Sequence, residues 1–338
     1  MLPYTSAMKT TMHASLLLGG LLLSACHREK TTEIPTEMSQ TRDYREDMRQ
    51  FVIGIADYAR SFDSDFIVIP QNGQDLCVTG LSADGALALD YIQHIDGQGR
   101  EELYYGFDNN DDQPTPPAET AVWKPYLDRL HDAGVRILVT DYCSSPALVN
   151  NSYAWNQAAG FLSFAADSRD LNTIPALPEA PWASNSNAVT SLEDAQNFLY
   201  LINPDQYTSK TALLADVAQT NYDVIIMDAY FDEWPFTPED LNTIRTKADG
   251  GQRLLIAYMS IGEAEDYRPY WNTTWSASPP SWLNAANPEW PGNYKVNYWE
   301  TEWQNIIYGN NASYTHQLIA SGFDGAYLDL IDAYEYFE

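Results

Sequence analysis

The sequence predicts a single (β/α)8 barrel of the TIM type with loop insertions. Three observations carry this. Short, continuously apolar runs alternate with helical periodicity, the pattern of parallel βαβ units. Eight such runs centre near residues 67, 93, 137, 163, 200, 225, 256 and 327. The chain has 338 residues, enough for a barrel of ~250 residues with additions. An open doubly wound sheet is the competing architecture, but the Gly-rich phosphate turn of many such folds is absent.

Along the chain, residues 1–25 read as a lipoprotein signal. Lys9 is followed by an apolar run at 16–23, then Leu23-Ser24-Ala25-Cys26. The run is too short for a permanent span. Cys26 is the expected lipidation site, and His27 beside it fits outer-membrane sorting. Residues 26–40 are polar and aperiodic, as a tether would be. The barrel is expected over 41–338.

Met48, Phe51, Val52, Ile55 and Ala59 share one helical face within 41–62. A strand at 66–70 ends in Pro70 and a polar turn. A weaker strand at 91–96 runs into Gly97-Gln98-Gly99-Arg100-Glu101-Glu102. A helix over 120–133, capped by Gly134, precedes a strand at 135–139 that ends in Thr140-Asp141-Tyr142-Cys143. The strand at 160–166 leads into a Pro-rich surface connection at 170–190. Next come a strand at 198–202, a helix at 208–219 and a strand at 223–227 ending in Asp228 and Tyr230. Thr237-Pro238-Glu239-Asp240 supplies a cap hydroxyl, Pro at the first turn and acids at the positive helix end. The strand at 253–259 precedes Gly262-Glu263-Ala264-Glu265 and a Trp-rich loop at 271–299. One helix is expected from 300 to about 320, then the final strand ending at Asp329.

With 47 acidic against 18 basic residues, the formal charge is −29. That argues against nucleic acid or an anionic membrane surface as partner and suits a neutral or cationic substrate. Zinc spacing, a phosphate loop and a Ser nucleophile elbow are all missing, so no cofactor is expected. Cys77 and Cys143 are open to pairing in an oxidising compartment but form no framework.

Barrel enzymes build their sites at the carboxyl ends of strands. Asp141, Asp228, Tyr230, Tyr258, Glu263, Glu265, Tyr327 and Asp329 stand at such ends, and Glu101 follows the second strand. Acids and phenols there can bind sugar hydroxyls or an ammonium, and aromatic faces stack on sugars. Alternatively each caps a helix or packs the rim. Glu265 has an ordinary helical ion pair with Arg268 as its other reading. Trp271, Trp275, Trp282 and Trp290 either wall a cleft or pack their loop.

Gly262-Glu263-Ala264-Glu265-Asp266-Tyr267-Arg268-Pro269, Trp290-Pro291-Gly292-Asn293 and Phe323-Asp324-Gly325 through Asp329 to Asp332 resemble the endo-α-1,4-polygalactosaminidase family. This is glycoside hydrolase family 114, with bacterial relatives once labelled cysteinyl-tRNA synthetase-related. Ile69-Pro70-Gln71-Asn72-Gly73 and the stretch from Ile95 to Tyr105 match the bacterial branch. The segment order is exchanged relative to the family, which reads as a circular permutation. Closure then requires the strand at 66–70 to pair with the one at 325–329.

The resemblance implies cleavage of an α-linked, galactosamine-containing polysaccharide by two carboxyl groups. It points to Asp329 as nucleophile or base and Glu101 as proton donor. Glu102 is a rival by one position; alternation along an extended chain would let only one of the two face the cavity. A non-catalytic carbohydrate-binding lipoprotein and a hydrolase of another glycan are the alternatives.

Overall fold

A computed structural model describes residues 42–338. The expected signal, the expected tether and Cys26, the expected lipidation site, lie outside the described residues. Among the described residues no helix is long and apolar enough to cross a membrane.

The frame is built from β1 (Ile67–Pro70), β2 (Gly97–Glu101), β3 (Arg136–Tyr142), β4 (Leu162–Ala166), β5 (Phe198–Leu201), β6 (Val224–Asp228), β7 (Leu254–Ser260) and β8 (Gly325–Asp329). All their ladders are parallel. One sheet has the order β1-β8-β7-β6-β5, the other β2-β3-β4. β1 pairs with β8 from Ile67↔Gly325 to Pro70↔Leu328. The two sheets meet at β1 and β2, where Asp96 N–H donates to Val68 O and Asn72 N–H to Gly99 O, both at 2.9 Å. A parallel bridge joins Gln71 to Gly99.

At the other seam β4 lies against β5, and the rings of Phe164 and Phe198 meet at 5.7 Å. No ladder joins those two strands, so hydrogen bonding does not close the ring expected from the sequence. The architecture is mixed α/β with parallel sheets, in a strand order consistent with a (β/α)8-type fold.

Helices return the chain between strands. Tyr44–Arg60 starts at Asp43, whose side chain accepts from Glu46 N–H. It buries Met48, Phe51, Val52, Ile55 and Ala59, the face its spacing predicts. Pro238–Ile244 carries a capping box between Thr237 and Asp240.

Besides the unexpected helix Pro146–Ala158, three elements depart from the sequence expectation. The strand expected at 91–96 lies at Gly97–Glu101, and Leu89–Ile92 is a short helix. Gly97 and Gly99 hide this strand from a hydrophobicity reading, yet packing demands them. A Cβ on Gly99 would sit 2.6 Å from Tyr327 Cζ and closer still to its phenol oxygen. The single helix expected at 300–320 is two, Thr301–Ile307 and Tyr314–Ser321, with Gly309 between them at φ 98°. The Trp-rich loop contains an antiparallel ribbon. Its central strand Asn293–Val296 pairs with Glu263–Glu265 on one side and Leu283–Ala286 on the other. Cys77 and Cys143 are both buried and unpaired.

The interior is filled by side chains. Tyr200 and Tyr327 are fully buried with ring centroids 5.1 Å apart, and Tyr200 OH donates to Gln71 Oε1 at 2.7 Å. Gly99→Ala should lower stability by about 1–3 kcal/mol through overpacking, read as a shifted urea midpoint. Tyr327→Phe in the same background should recover part of that loss.

Candidate active site

At the carboxyl ends of the strands lies a cleft of about 410 Å³. Asp329, Glu101, Glu102, Asp228, Tyr258, Glu263, Glu265 and Asp332 line it. β2 and β8 both flank β1, which brings Asp329 and Glu101, far apart in sequence, to one opening.

Each of these two carboxyls is held by a phenol and one nitrogen donor. Tyr258 OH donates to Asp329 Oδ2 at 2.5 Å, and Leu330 N–H to Oδ1 at 2.8 Å. Tyr142 OH donates to Glu101 Oε1. Asn72 Nδ2 donates to Glu101 Oε2 at 3.1 Å. Burial, helped by the negative charge of Glu101, pushes the Asp329 ionisation up to about 7. The bonds from Tyr258 and Leu330 oppose that shift without cancelling it. Asp332 is likewise pushed up to about 7, by burial and then by Glu335 and Glu101.

Asp228, Glu265 and Glu102 at the rim have cationic partners. Arg268 bridges Asp228 Oδ1 at 2.8 Å and Glu265 Oε2 at 2.6 Å. Glu265 also accepts from Tyr267 OH at 2.6 Å. The Glu265–Arg268 pair exists, but Glu265 lies on the ribbon rather than a helix. Arg169 meets Glu102 at 2.6 Å and stacks 4.0 Å over the Tyr142 ring. Burial raises the Glu102 ionisation, against the pull of Arg169.

Glu101 and Glu102 both reach the cleft, contrary to the alternation argument. Glu102 lies past the strand end at φ 59°, so the extended geometry behind that argument stops at Glu101.

Three expected residues sit elsewhere. Asp141 is 0% exposed and points outward from β3. It accepts from Tyr104 N–H at 2.8 Å, Tyr105 N–H at 3.1 Å and Ser152 Oγ at 2.6 Å. It therefore braces the loop after Glu101, while its neighbour Tyr142 takes the cleft position that period two assigns to the next residue. Tyr327 is fully buried one layer below Asp329, under Gly99. Tyr230 borders an adjoining depression rather than the main cleft, and its OH donates to Gln317 Oε1 at 3.1 Å. Of the four loop tryptophans only Trp290, 59% exposed, lines the cleft. Trp282 is buried against Trp303.

Tyr142, Asn72, Arg169, Arg268 and Asp332 were not among the expected site residues. Asn72 and Asp332 fall inside the motifs quoted above. Arg169 carries no local signal, because its role depends on the fold bringing it to Glu102. Among the described residues no group of three or more His, Cys, Asp or Glu side chains is placed to hold a metal ion.

Residues 179–338 match the model of glycoside-hydrolase family GH114. An uncharacterized protein of Methanocaldococcus jannaschii is 39% identical over 133 residues, 38% of this chain and 36% of its own. One from Deinococcus radiodurans is 42% identical over 114 residues, 34% of each chain. One from Thermotoga maritima is 37% identical over 133 residues, 38% of this chain and 39% of its own. The chain thus spans little more than a third of the length of these curated relatives. The family match supports glycoside hydrolase chemistry.

The Asp329 environment has a cost. The unfolded chain releases this proton near pH 3.9, the folded one near pH 7. Between those values the unfolded state binds fewer protons, so this group's contribution to stability falls as pH rises from about 4 to about 7. Asp329→Asn should therefore raise stability at about pH 8 by about 1–3 kcal/mol and give no gain near pH 4. Thermal unfolding at the two pH values checks this; a gain independent of pH would refute the assigned environment.

Proposed function

We propose that the cleft hydrolyses an α-linked, galactosamine-containing polysaccharide with Asp329 and Glu101 as its working pair. The observation that carries this reading is their position: two carboxyls from strand ends on either side of β1, facing one cleft. Glycoside hydrolysis needs one carboxyl on each side of the scissile bond. Asp329 attacks the anomeric carbon or takes a proton from water, and Glu101 gives a proton to the leaving oxygen. Water is consumed and one glycosidic bond is lost.

The donors on both Asp329 oxygens favour its ionised form in this role. The excess of acid over base in the chain suits a polycationic, partly deacetylated substrate.

The same reading places the protein in a bacterial cell envelope, anchored through a lipid on Cys26 and probing polysaccharide from the membrane surface. It also takes the chain as a circularly permuted (β/α)8-type fold. Exchanging two halves of a domain leaves a linear comparison only one half to align, and a match confined to 179–338 has that form. The β1–β8 pairing supports it as well.

Purified protein should release oligosaccharides from galactosamine polymers. Asp329→Asn and Glu101→Gln should each cut turnover by about 10²–10⁴. Wild-type turnover in both variants would end the assignment. If Asp329 works ionised, kcat/KM should climb as pH passes about 7. A profile that instead falls through that pH would exchange the two roles.

A further inference from the structure

Two adjacent acids, Glu101 and Glu102, reach the cleft, and the hydrolase reading uses one of them. Their surroundings are told apart by Arg169, which follows β4 in the chain. Its guanidinium makes three close contacts at once. Nη1 meets Glu102 Oε1 at 2.6 Å. Nη2 donates to Gly106 O at 2.7 Å. Its central carbon lies 4.0 Å over the Tyr142 ring. Asp111 is a more distant neighbour, 3.7 Å from Nε.

A planar guanidinium can stack through its face while it donates along its edges. The edge contacts span the turn that carries the chain out of β2, where Glu102 has φ 59° and Gly106 φ 110°. A non-glycine residue keeps such a φ only where its surroundings hold it there. The ion pair gives Glu102 that support and commits its Oε1 to the cleft wall. The face contact lies on the ring whose OH donates to Glu101 Oε1. Arg169 therefore bears on Glu101 through Tyr142 and on Glu102 directly.

We propose that Arg169 is a positioning residue that makes Glu101, and not Glu102, the working acid. It ties Glu102 into an ion pair and clamps the Tyr142 ring so that the phenol stays on Glu101. The inference rests on the hydrolase reading above. All four residues precede residue 179, where the family match begins, so the assignment stands on geometry alone.

The test is a double-mutant cycle on α-linked galactosamine oligosaccharides, with kcat and KM read separately. Arg169→Met should lower kcat about 10–10²-fold, the scale of a displaced catalytic group. KM should move less than about threefold, since the lost interaction acts on the acid and not on bound sugar. Arg169→Lys keeps the charge without the planar fork and should fall between wild type and Arg169→Met. In a Glu101→Gln background, Arg169→Met should cost no more than about a further threefold, because residues that act as a unit are not additive. Losses that multiply overturn the proposal, as a merely structural role would make them do. A loss confined to KM, or wild-type kcat in Arg169→Met, overturns it as well. Should Arg169→Met fail to fold, Arg169→Lys takes its place in the same cycle. A cycle that fails in an active enzyme leaves the hydrolase reading standing. Failure of wild type to cut removes that reading and the role of Arg169 with it.

Discussion

The parallel pairing of β1 with β8 is the constraint on which the rest of the structure depends. It joins the first and last strands of the described chain over four residue pairs. Gly325 makes the approach feasible: a Cβ there would lie 2.7 Å from Ile67 Cβ and closer still to the Ile67 carbonyl. Asp324 anchors the start of the ladder. Its carbonyl accepts from Ile67 N–H at 2.9 Å, its carboxylate accepts from Leu255 N–H at 2.7 Å, and Arg245 bridges it at 2.7 Å. Further ties reinforce the closure: Arg45 pairs with Glu338 at 2.9 Å and also meets Asp75, and Tyr334 OH donates to Asp75 at 2.6 Å. Entropy does not forbid so long-range a contact, since each doubling of loop length adds only about 0.6 kcal/mol. Without it, Glu101 and Asp329 share no cleft.

The rim is crowded with acids, and their partners sort them. Asp228 and Glu265 share Arg268, and Glu102 has Arg169. A guanidinium beside a carboxylate fixes both charge and geometry. Asp329 and Glu101 receive phenols and an N–H instead, with no cation among their hydrogen-bond donors. A neutral donor orients a carboxyl without neutralising it, so burial and the neighbouring acid can lift the Asp329 ionisation toward neutrality. Strongly shifted groups in a cleft mark chemical sites more often than structural ones. Asp329 and Glu101 are thus set apart from Asp228, Glu265 and Glu102 by the donors that hold them.

Much of this was legible in the sequence, and the misses have local causes. Seven of the eight strands announce themselves as apolar runs, because strands buried on both faces must be apolar. β2 does not, because Tyr327 leaves no room for a Cβ at Gly99 and Leu192, Arg136 and Ile69 leave little at Gly97, and no hydrophobicity pattern rewards Gly. The helix Pro146–Ala158 escaped notice because its buried residues include Ser152 and Asn156, which serve Asp141 rather than an apolar face. Asp228, Tyr258, Glu263 and Glu265 reach the cleft as strand-end logic expects, whereas Asp141 and Tyr327 do not. For Asp141 the error is one residue of register, and such a slip moves a side chain to the opposite face.

That register also explains why the missed residues are the supporting ones. Asp141 points away from the cleft, yet its carboxylate receives the N–H groups of Tyr104 and Tyr105 and so fixes the chain leaving Glu101. Tyr142, one residue on, meets Glu101 directly and carries Arg169 on its ring. The two successive residues hold the same segment around Glu101 from its two faces, one through backbone and one through side chain. A sequence reading that ranks residues by chemical reactivity finds the acid and passes over the phenol. A strand's period of two instead assigns them complementary tasks, and only the three-dimensional neighbours show which face meets the cleft.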